Sequence, residues 1–127
     1  MATNVYLMKY ELDDNLHYLE DSSEIIHQCS ISISLMEKIR KNIGIGELQI
    51  FEEKNSNISS KTEVIMLEDS KKLLTFSEDY FVKLFAKKNE DRQDSIFEFR
   101  EITNLYYLTY LKIEKYLDDK SVVITIG

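Results

Sequence analysis

The chain has 127 residues, of which 43% are hydrophobic and 31% are charged, and its formal net charge is −7 at pH 7. This length and balance predict one globular domain and exclude a disordered chain. The acidic balance disfavours nucleic acid and anionic membranes as direct partners, because both are polyanions that basic surfaces bind.

The negative charge is concentrated at the front of the chain. Residues 1–30 hold six acidic residues and a single basic one, Lys9. Such a concentrated negative surface favours a basic partner or a hard cation, and the missing glycine and the apolar residues within the acidic run favour a solvated acidic face over a cation site. The single cysteine, Cys29, excludes an intramolecular disulfide, and no apolar run approaches the roughly 20 residues that span a bilayer. We therefore predict a cytoplasmic protein without a membrane segment.

A strand and a long helix are predicted in the first third of the chain. Residues 5–12 mix β-branched, aromatic and apolar side chains, as strands do, and residues 13–20 form a polar connection. Asp21 and Glu24 then have the spacing of a capping box, and apolar side chains recur at helical spacing behind them. These patterns predict a helix over residues 22–43.

Two details bear on this helix. Gly44 supplies a C-terminal stop, which supports it. Residues 29–34, in contrast, alternate strictly between an apolar side chain or cysteine and serine, and this alternation also suits a strand. Both alternatives stay open for that stretch, and the capping pattern together with Gly44 favours the helix.

The middle of the chain predicts a β-hairpin followed by a short helix. Residues 47–53 and 62–67 have strand composition and flank a polar loop, and residues 72–76 predict a further strand. Ser77 precedes two acidic residues and an apolar stripe. This arrangement predicts an N-cap and a helix over residues 78–88.

A second long helix and a closing strand are predicted at the C-terminal end. Ser95 and Glu98 have capping-box spacing, and a wide apolar stripe follows them. Its four tyrosines indicate that part of the helix over residues 95–117 lies at the surface, which makes it a candidate for self-association. Residues 118–120 then turn the chain into a strand over residues 122–126.

Strands grouped around helices, without regular βαβ alternation, predict the α+β class. We expect one domain over residues 1–127, with a mostly antiparallel sheet of about four to five strands packed against two or three helices. Proline is absent and glycine occurs three times, which leaves little sign of long loops or linkers.

No motif for catalysis, for a metal or for a cofactor rises above chance, and we predict none of the three. Glu52 and Lys54 form the Glu-x-Lys pattern that Mg²⁺-dependent nucleases use, but nothing marks the second carboxylate that such a site needs. His27 and Cys29 point apart on a helix. On a strand they would share a face, as a base and a nucleophile must.

The acidic connection is the candidate contact surface. Asp21 and Glu24 are assigned to the start of the helix, which leaves the residues before them without a structural role. The predicted partner-binding residues are Asp13, Asp14, His17, Tyr18 and Glu20. The carboxylates would attract a basic surface, and Tyr18 would provide the aromatic anchor.

These observations predict a small acidic binding or inhibitor protein of the immunity or antitoxin type, which neutralises a basic, nuclease-like protein. Three alternatives stay open: a phage-encoded inhibitor of a host defence or nucleic-acid enzyme, a Mg²⁺-dependent nuclease that uses Glu52 and Lys54, and a structural or assembly subunit. An acidic surface that only keeps the protein in solution accounts for the charge nearly as well.

Overall fold

A computed structural model describes residues 2–52, 57–86 and 96–127 of the chain. Within these residues, five strands form one sheet and three α-helices pack against it. The α+β class predicted from the sequence is therefore confirmed. In these same ranges, no helix has both the length and the apolar character needed to cross a bilayer.

The elements follow one another with short connections. The strands are β1 (Ala2–Leu12), β2 (Tyr18–Ser32), β3 (Gly46–Phe51), β4 (Ser59–Ile65) and β5 (Val122–Ile126). The helices are α1 (Ile33–Ile43), α2 (Ser70–Phe85) and α3 (Ile96–Tyr107). A 3-10 turn, Leu67–Asp69, leads into α2, and a π-helical stretch, Leu108–Lys112, and a 3-10 turn, Ile113–Tyr116, extend α3.

The sheet closes on itself as a small barrel in the order β1, β2, β3, β4, β5. Four of the pairings are antiparallel, and β5 lies between β1 and β4. The closure is a short parallel contact in which Tyr18 and Leu19 of β2 pair with the end of β3. Two register shifts in the β1–β2 pairing bend this long hairpin, so that the start of β2 reaches β3.

The two faces of the sheet carry separate hydrophobic clusters. On β5, Val122 and Ile124 belong to the cluster that the three helices cover, whereas Val123 belongs to the other. The second cluster joins Val123 to side chains of β1, β3 and β4 and includes no helical residue among those described, so the curled sheet encloses it. Because both faces are filled, β5 is buried along its whole length.

The predicted helix over residues 22–43 is wrong in its first half, which belongs to β2. The helix α1 begins at Ile33, and Ser32 is its N-cap: its hydroxyl oxygen accepts a hydrogen bond from the Leu35 N–H at 3.1 Å. The Glu101 carboxylate of α3 accepts two further bonds, from the Ser32 N–H at 2.9 Å and from its hydroxyl at 3.1 Å. A contact from a distant part of the chain thus fixes where this helix starts.

The predicted capping box at Asp21 and Glu24 is therefore also wrong, since both residues are exposed within β2. The alternation over residues 29–34 was the better signal for the strand as far as Ser32. Cys29 and Ile31 are buried in the cluster under the helices, and Ser30 between them is exposed.

The predicted strand over residues 72–76 and the predicted helix start at Ser77 are wrong as well. One helix, α2, spans both regions. The Ser77 side chain is fully buried and donates a hydrogen bond to the Leu73 carbonyl at 2.9 Å, so it lies in the core-facing stripe between Leu73 and Leu84. A serine that bonds back to the preceding turn is compatible with a helix interior, which the N-cap interpretation overlooked.

The other predicted elements are confirmed with shifted boundaries. β1, β3, β4 and β5 match the four remaining predicted strands, and the tyrosine-rich helix is α3 with its π and 3-10 extension. The connection between β1 and β2 is shorter than predicted, because β2 begins at Tyr18. The predicted cap at Ser95 and the predicted helix end at residues 87–88 lie outside the described residues.

Candidate functional site at the acidic end of the sheet

The turn between β1 and β2 is built around the side chain of Asp13. Its Oδ1 atom accepts hydrogen bonds from the backbone N–H groups of Asn15 and His17, both at 2.9 Å. Two backbone bonds complete the turn: the Asp13 N–H donates to the His17 carbonyl at 3.1 Å, and the Leu16 N–H donates to the Asp13 carbonyl at 3.0 Å. An aspartate that bonds to following backbone groups is a typical turn former.

His17 ties this turn to the end of β3. Its imidazole stacks on the Phe51 ring, with 4.2 Å between the ring centroids, and its Nδ1 atom lies 3.2 Å from the Asp13 carboxylate. The hydrogen bond from the His17 backbone, followed by that from Asn15, holds the pKa of the Asp13 carboxyl below its usual range. Of the predicted contact residues, Asp13 and His17 therefore shape the turn.

We expect the stabilising effect of Asp13 to depend on pH. Its pKa is lower in the folded chain, so its contribution is present at neutral pH and is lost as the pH falls below about 4 towards the folded-state pKa. In urea unfolding, Asp13→Ala should be less stable than the wild type at pH 7, and the gap should shrink at acidic pH. Asp13→Asn, which keeps an acceptor oxygen, is the control. An equal gap at both pH values would contradict this assignment.

Leu16, at the tip of the turn, was not predicted as a contact residue. Its φ is 61°, and among the described residues other than glycine it alone has a positive φ. Its side chain is 68% exposed. The left-handed conformation costs a leucine roughly 1–2 kcal/mol relative to glycine, and the exposed side chain gains no burial energy in return. Such strain typically persists where it serves a function.

Tyr18 lies where the closed end of the sheet meets the C-terminal turn. Its hydroxyl donates a hydrogen bond to the Lys120 carbonyl at 2.7 Å, and its ring meets Tyr10 edge to face at 5.9 Å. Burial raises the pKa of Tyr18, and the charge of Asp119 adds to this rise. Tyr18 is half-buried and has a structural role here, while its role as an aromatic anchor stays a prediction.

A second acidic turn, residues 118–120, adjoins Tyr18. The Asp119 carboxylate accepts hydrogen bonds from the Ser121 hydroxyl at 2.5 Å and from the Ser121 N–H at 2.9 Å. These bonds hold the pKa of Asp119 below its usual range. The same carboxylate lies 3.6 Å from the Lys9 ammonium. A cavity of about 420 Å³, which both Asp118 and Asp119 line, opens between this turn and Tyr18. These two acids were not predicted as site residues, because only the pairing of β5 with β1 brings them close to the front of the chain.

His27 and Cys29 both lie on strand β2, which is the alternative that would place them on one face. The Cys29 thiol, however, is buried. Cys29 is 8% exposed, and burial raises its pKa to about 11. A thiol with that pKa is almost entirely protonated near neutral pH and is a poor nucleophile. The His27 ring contacts Tyr107 of α3, with 5.4 Å between the ring centroids.

The nuclease alternative stays a prediction. The Glu52 N–H donates to the Ile58 carbonyl at 3.0 Å, which closes the β3–β4 loop, and Lys54 lies outside the described residues. Among the residues whose structure is described, no three histidine, cysteine, aspartate or glutamate side chains are grouped as a metal ion requires.

No family model, curated protein or solved structure matches the chain. What the site can bind is therefore inferred from its geometry and charge. Among the described acidic residues at this end of the sheet, five lie on or next to the two turns: Asp13, Asp14, Glu20, Asp118 and Asp119. Asp14 and Glu20 are exposed, and the charge of Glu20 adds to the effect of burial in raising the pKa of Tyr10. We call these five acids together with Leu16 the acidic end. It presents several carboxylates and one apolar side chain to a cationic surface.

Proposed function

We propose that the chain is a small acidic binding protein whose acidic end covers a basic surface of another protein, as an immunity or antitoxin-type inhibitor of a nuclease-like partner does. The observation that supports this most directly is Leu16. It is an exposed leucine, held in an unfavourable backbone conformation, at the tip of a turn among carboxylates. Protein contacts commonly combine one apolar anchor with a charged rim.

The two parts of the surface have different roles in binding. The carboxylates attract a basic partner over a distance and raise the association rate, an effect that salt screens. Leu16 enters an apolar recess of the partner and slows dissociation. Because the bonds around Asp13 fix the turn beforehand, little conformational entropy is lost when the partner binds.

A protein surface fits these acids better than a single metal ion. Calcium requires six to eight oxygens around one point. Here the carboxylates come from two separate turns and from β2, and those of Asp13 and Asp119 already accept hydrogen bonds from their own turns. Lysine and arginine side chains spread over a partner would match this arrangement. The cytoplasm is the compartment that we propose.

The proposal is tested by capture of the partner from a lysate of the native host with the immobilised chain. We expect a basic protein to be retained at moderate salt, and its affinity to fall about 10–100-fold with Leu16→Ala. Neutralising Asp14, Glu20 and Asp118 together should mainly slow association. The matched control neutralises three exposed acids elsewhere, Glu37, Glu47 and Asp79.

Two results would contradict the proposal. One is partner binding that neither Leu16→Ala nor the neutralised acidic end weakens. The other is divalent-dependent nuclease activity that Glu52→Ala abolishes, which would favour the nuclease alternative. Capture of a host defence or nucleic-acid enzyme, rather than of a toxin, would support the phage-inhibitor alternative.

A further inference from the structure

We propose that two copies of this chain associate through the outer face of α2 and of the helical segment from α3 to Leu117. This face, which we call the aromatic face, meets the acidic end at Leu117, which also borders the cavity beside Tyr18. It consists of Leu74, Phe81, Val82, Phe85, Phe99, Tyr106, Tyr110 and Leu117.

An unbroken row of rings follows the groove between α2 and α3. Phe99 contacts Phe85 at a centroid distance of 5.3 Å, and Phe85 contacts Phe81 at 6.5 Å. Phe81 meets Tyr106 edge to face at 5.8 Å, and Tyr106 stacks on Tyr110 at 5.6 Å. Rings that hold one another in place lose little entropy when a second surface covers them, so such a row is suited to binding.

Both ends of the row are open to solvent. Val82 and Phe85 are 68% and 62% exposed, and Tyr110 and Leu117 are 47% and 46% exposed. These four are among nine large hydrophobic side chains exposed in the described part of the chain. Apolar side chains exposed together, rather than singly, mark an interaction surface.

The two ends also differ in shape. Val82 and Phe85 project from the last turn of α2. At the other end of the row, a cavity of about 180 Å³ opens between α2 and the segment after α3, with Leu74, Tyr110 and Leu117 in its lining. Phe85 and Leu74 are about 16 Å apart along the helix axis, given a rise of roughly 1.5 Å per residue.

In the proposed dimer the two ends complement each other. A two-fold axis through the middle of the row places the projecting end of one copy over the cavity of the other. The same rotation repeats the contact in the opposite direction, which is what a symmetric dimer interface requires. A different partner would have to supply both a projection and a recess at this spacing, whereas a second copy already has both.

The charges around the aromatic face favour a second copy as well. Lys71 and Glu114 border the cavity at one end of the face. Arg100 lies beside Phe99 near the projecting end, and Glu78 is exposed on α2 between the two ends. These four described residues contribute two charges of each sign to the border of the face, on a chain of net charge −7 whose copies otherwise repel. The two-fold axis also brings Arg100 towards Glu114 of the second copy.

The test is the molar mass in solution, measured by sedimentation or light scattering over a range of micromolar concentrations. We expect the wild type to form a dimer and Phe85→Asp to raise its dissociation constant about 100-fold or more. Ile58→Asp is the matched control, because Ile58 is 48% exposed and lies outside the aromatic face. Circular dichroism verifies that each variant is folded.

A charge exchange tests the two-fold arrangement itself. Arg100→Glu and Glu114→Arg should each weaken the dimer about 10-fold, and an equimolar mixture of the two variants should form a heterodimer with both contacts restored. A monomeric wild type, a dimer that Phe85→Asp leaves intact, or a mixture that stays dissociated would each overturn the proposal. Partner capture by the acidic end should persist in Phe85→Asp, so the two proposals fail independently.

Discussion

Ile124→Ala should lower the free energy of unfolding by about 2–5 kcal/mol. Ile124 is fully buried on β5, the strand that lies between β1 and β4, and it pairs with Leu7 and Ile65 in the register. Truncation leaves a cavity beneath the helices. Hydrogen bonds to strands on both sides hold β5 in place, so the backbone cannot move to fill the space.

The matched control is Ile25→Ala on β2, because Ile25 is 52% exposed. Ile25→Ala should lower the free energy of unfolding by less than about 1 kcal/mol, because only strand propensity and partial burial are lost there. Urea denaturation with both variants measures the difference. Equal losses at the two positions would show that β5 is not buried between the two clusters as described.

The composition of β5 predicted a strand but not its place in the sheet. Five consecutive β-branched residues identify it, whereas its central position depends on pairing with β1 and β4, which lie far away in the chain. The closure of the sheet was not predictable for the same reason. It depends on register shifts within the β1–β2 hairpin, and a short pattern of side chains does not encode such shifts.

The acidic end shows the same division between local and distant information. The excess of carboxylates before Asp21 was apparent from the sequence, and so was the turn that contains them. The contribution of Asp118 and Asp119 was not, because the chain returns to this end only after β5 has paired with β1. Leu16 was missed for a different reason: no propensity rule predicts a leucine with a positive φ.

The start of α1 shows how a tertiary contact overrides a local signal. Asp21 and Glu24 have the spacing of a capping box, yet the chain stays extended through Ser32. Glu101, which is 69 residues away, accepts two hydrogen bonds from Ser32. Extended residues before Ser32 also bury Ile31 against the helices, and burial of this kind outweighs a cap of about 1 kcal/mol.

Glu101→Ala should therefore destabilise the fold by about 1–3 kcal/mol, since it removes two charge-assisted hydrogen bonds at a partly buried junction. The substitution leaves the Ser32 N–H without this acceptor and removes a polar contact between α3 and the β2–α1 junction. Glu37→Ala, at an exposed glutamate of α1, is the control and should change stability by less than about 0.5 kcal/mol.

Two further variants separate the charge from the hydrogen bonds and test the coupling. Glu101→Gln keeps one acceptor oxygen for the Ser32 N–H and should recover part of the loss. In a double-mutant cycle of Ser32→Ala with Glu101→Ala, the two losses should add up to more than the loss in the double variant, because both changes remove the hydroxyl–carboxylate bond. Strict additivity would mean that the hydroxyl–carboxylate bond does not contribute, and Glu101 would then act on the start of α1 through the Ser32 N–H alone.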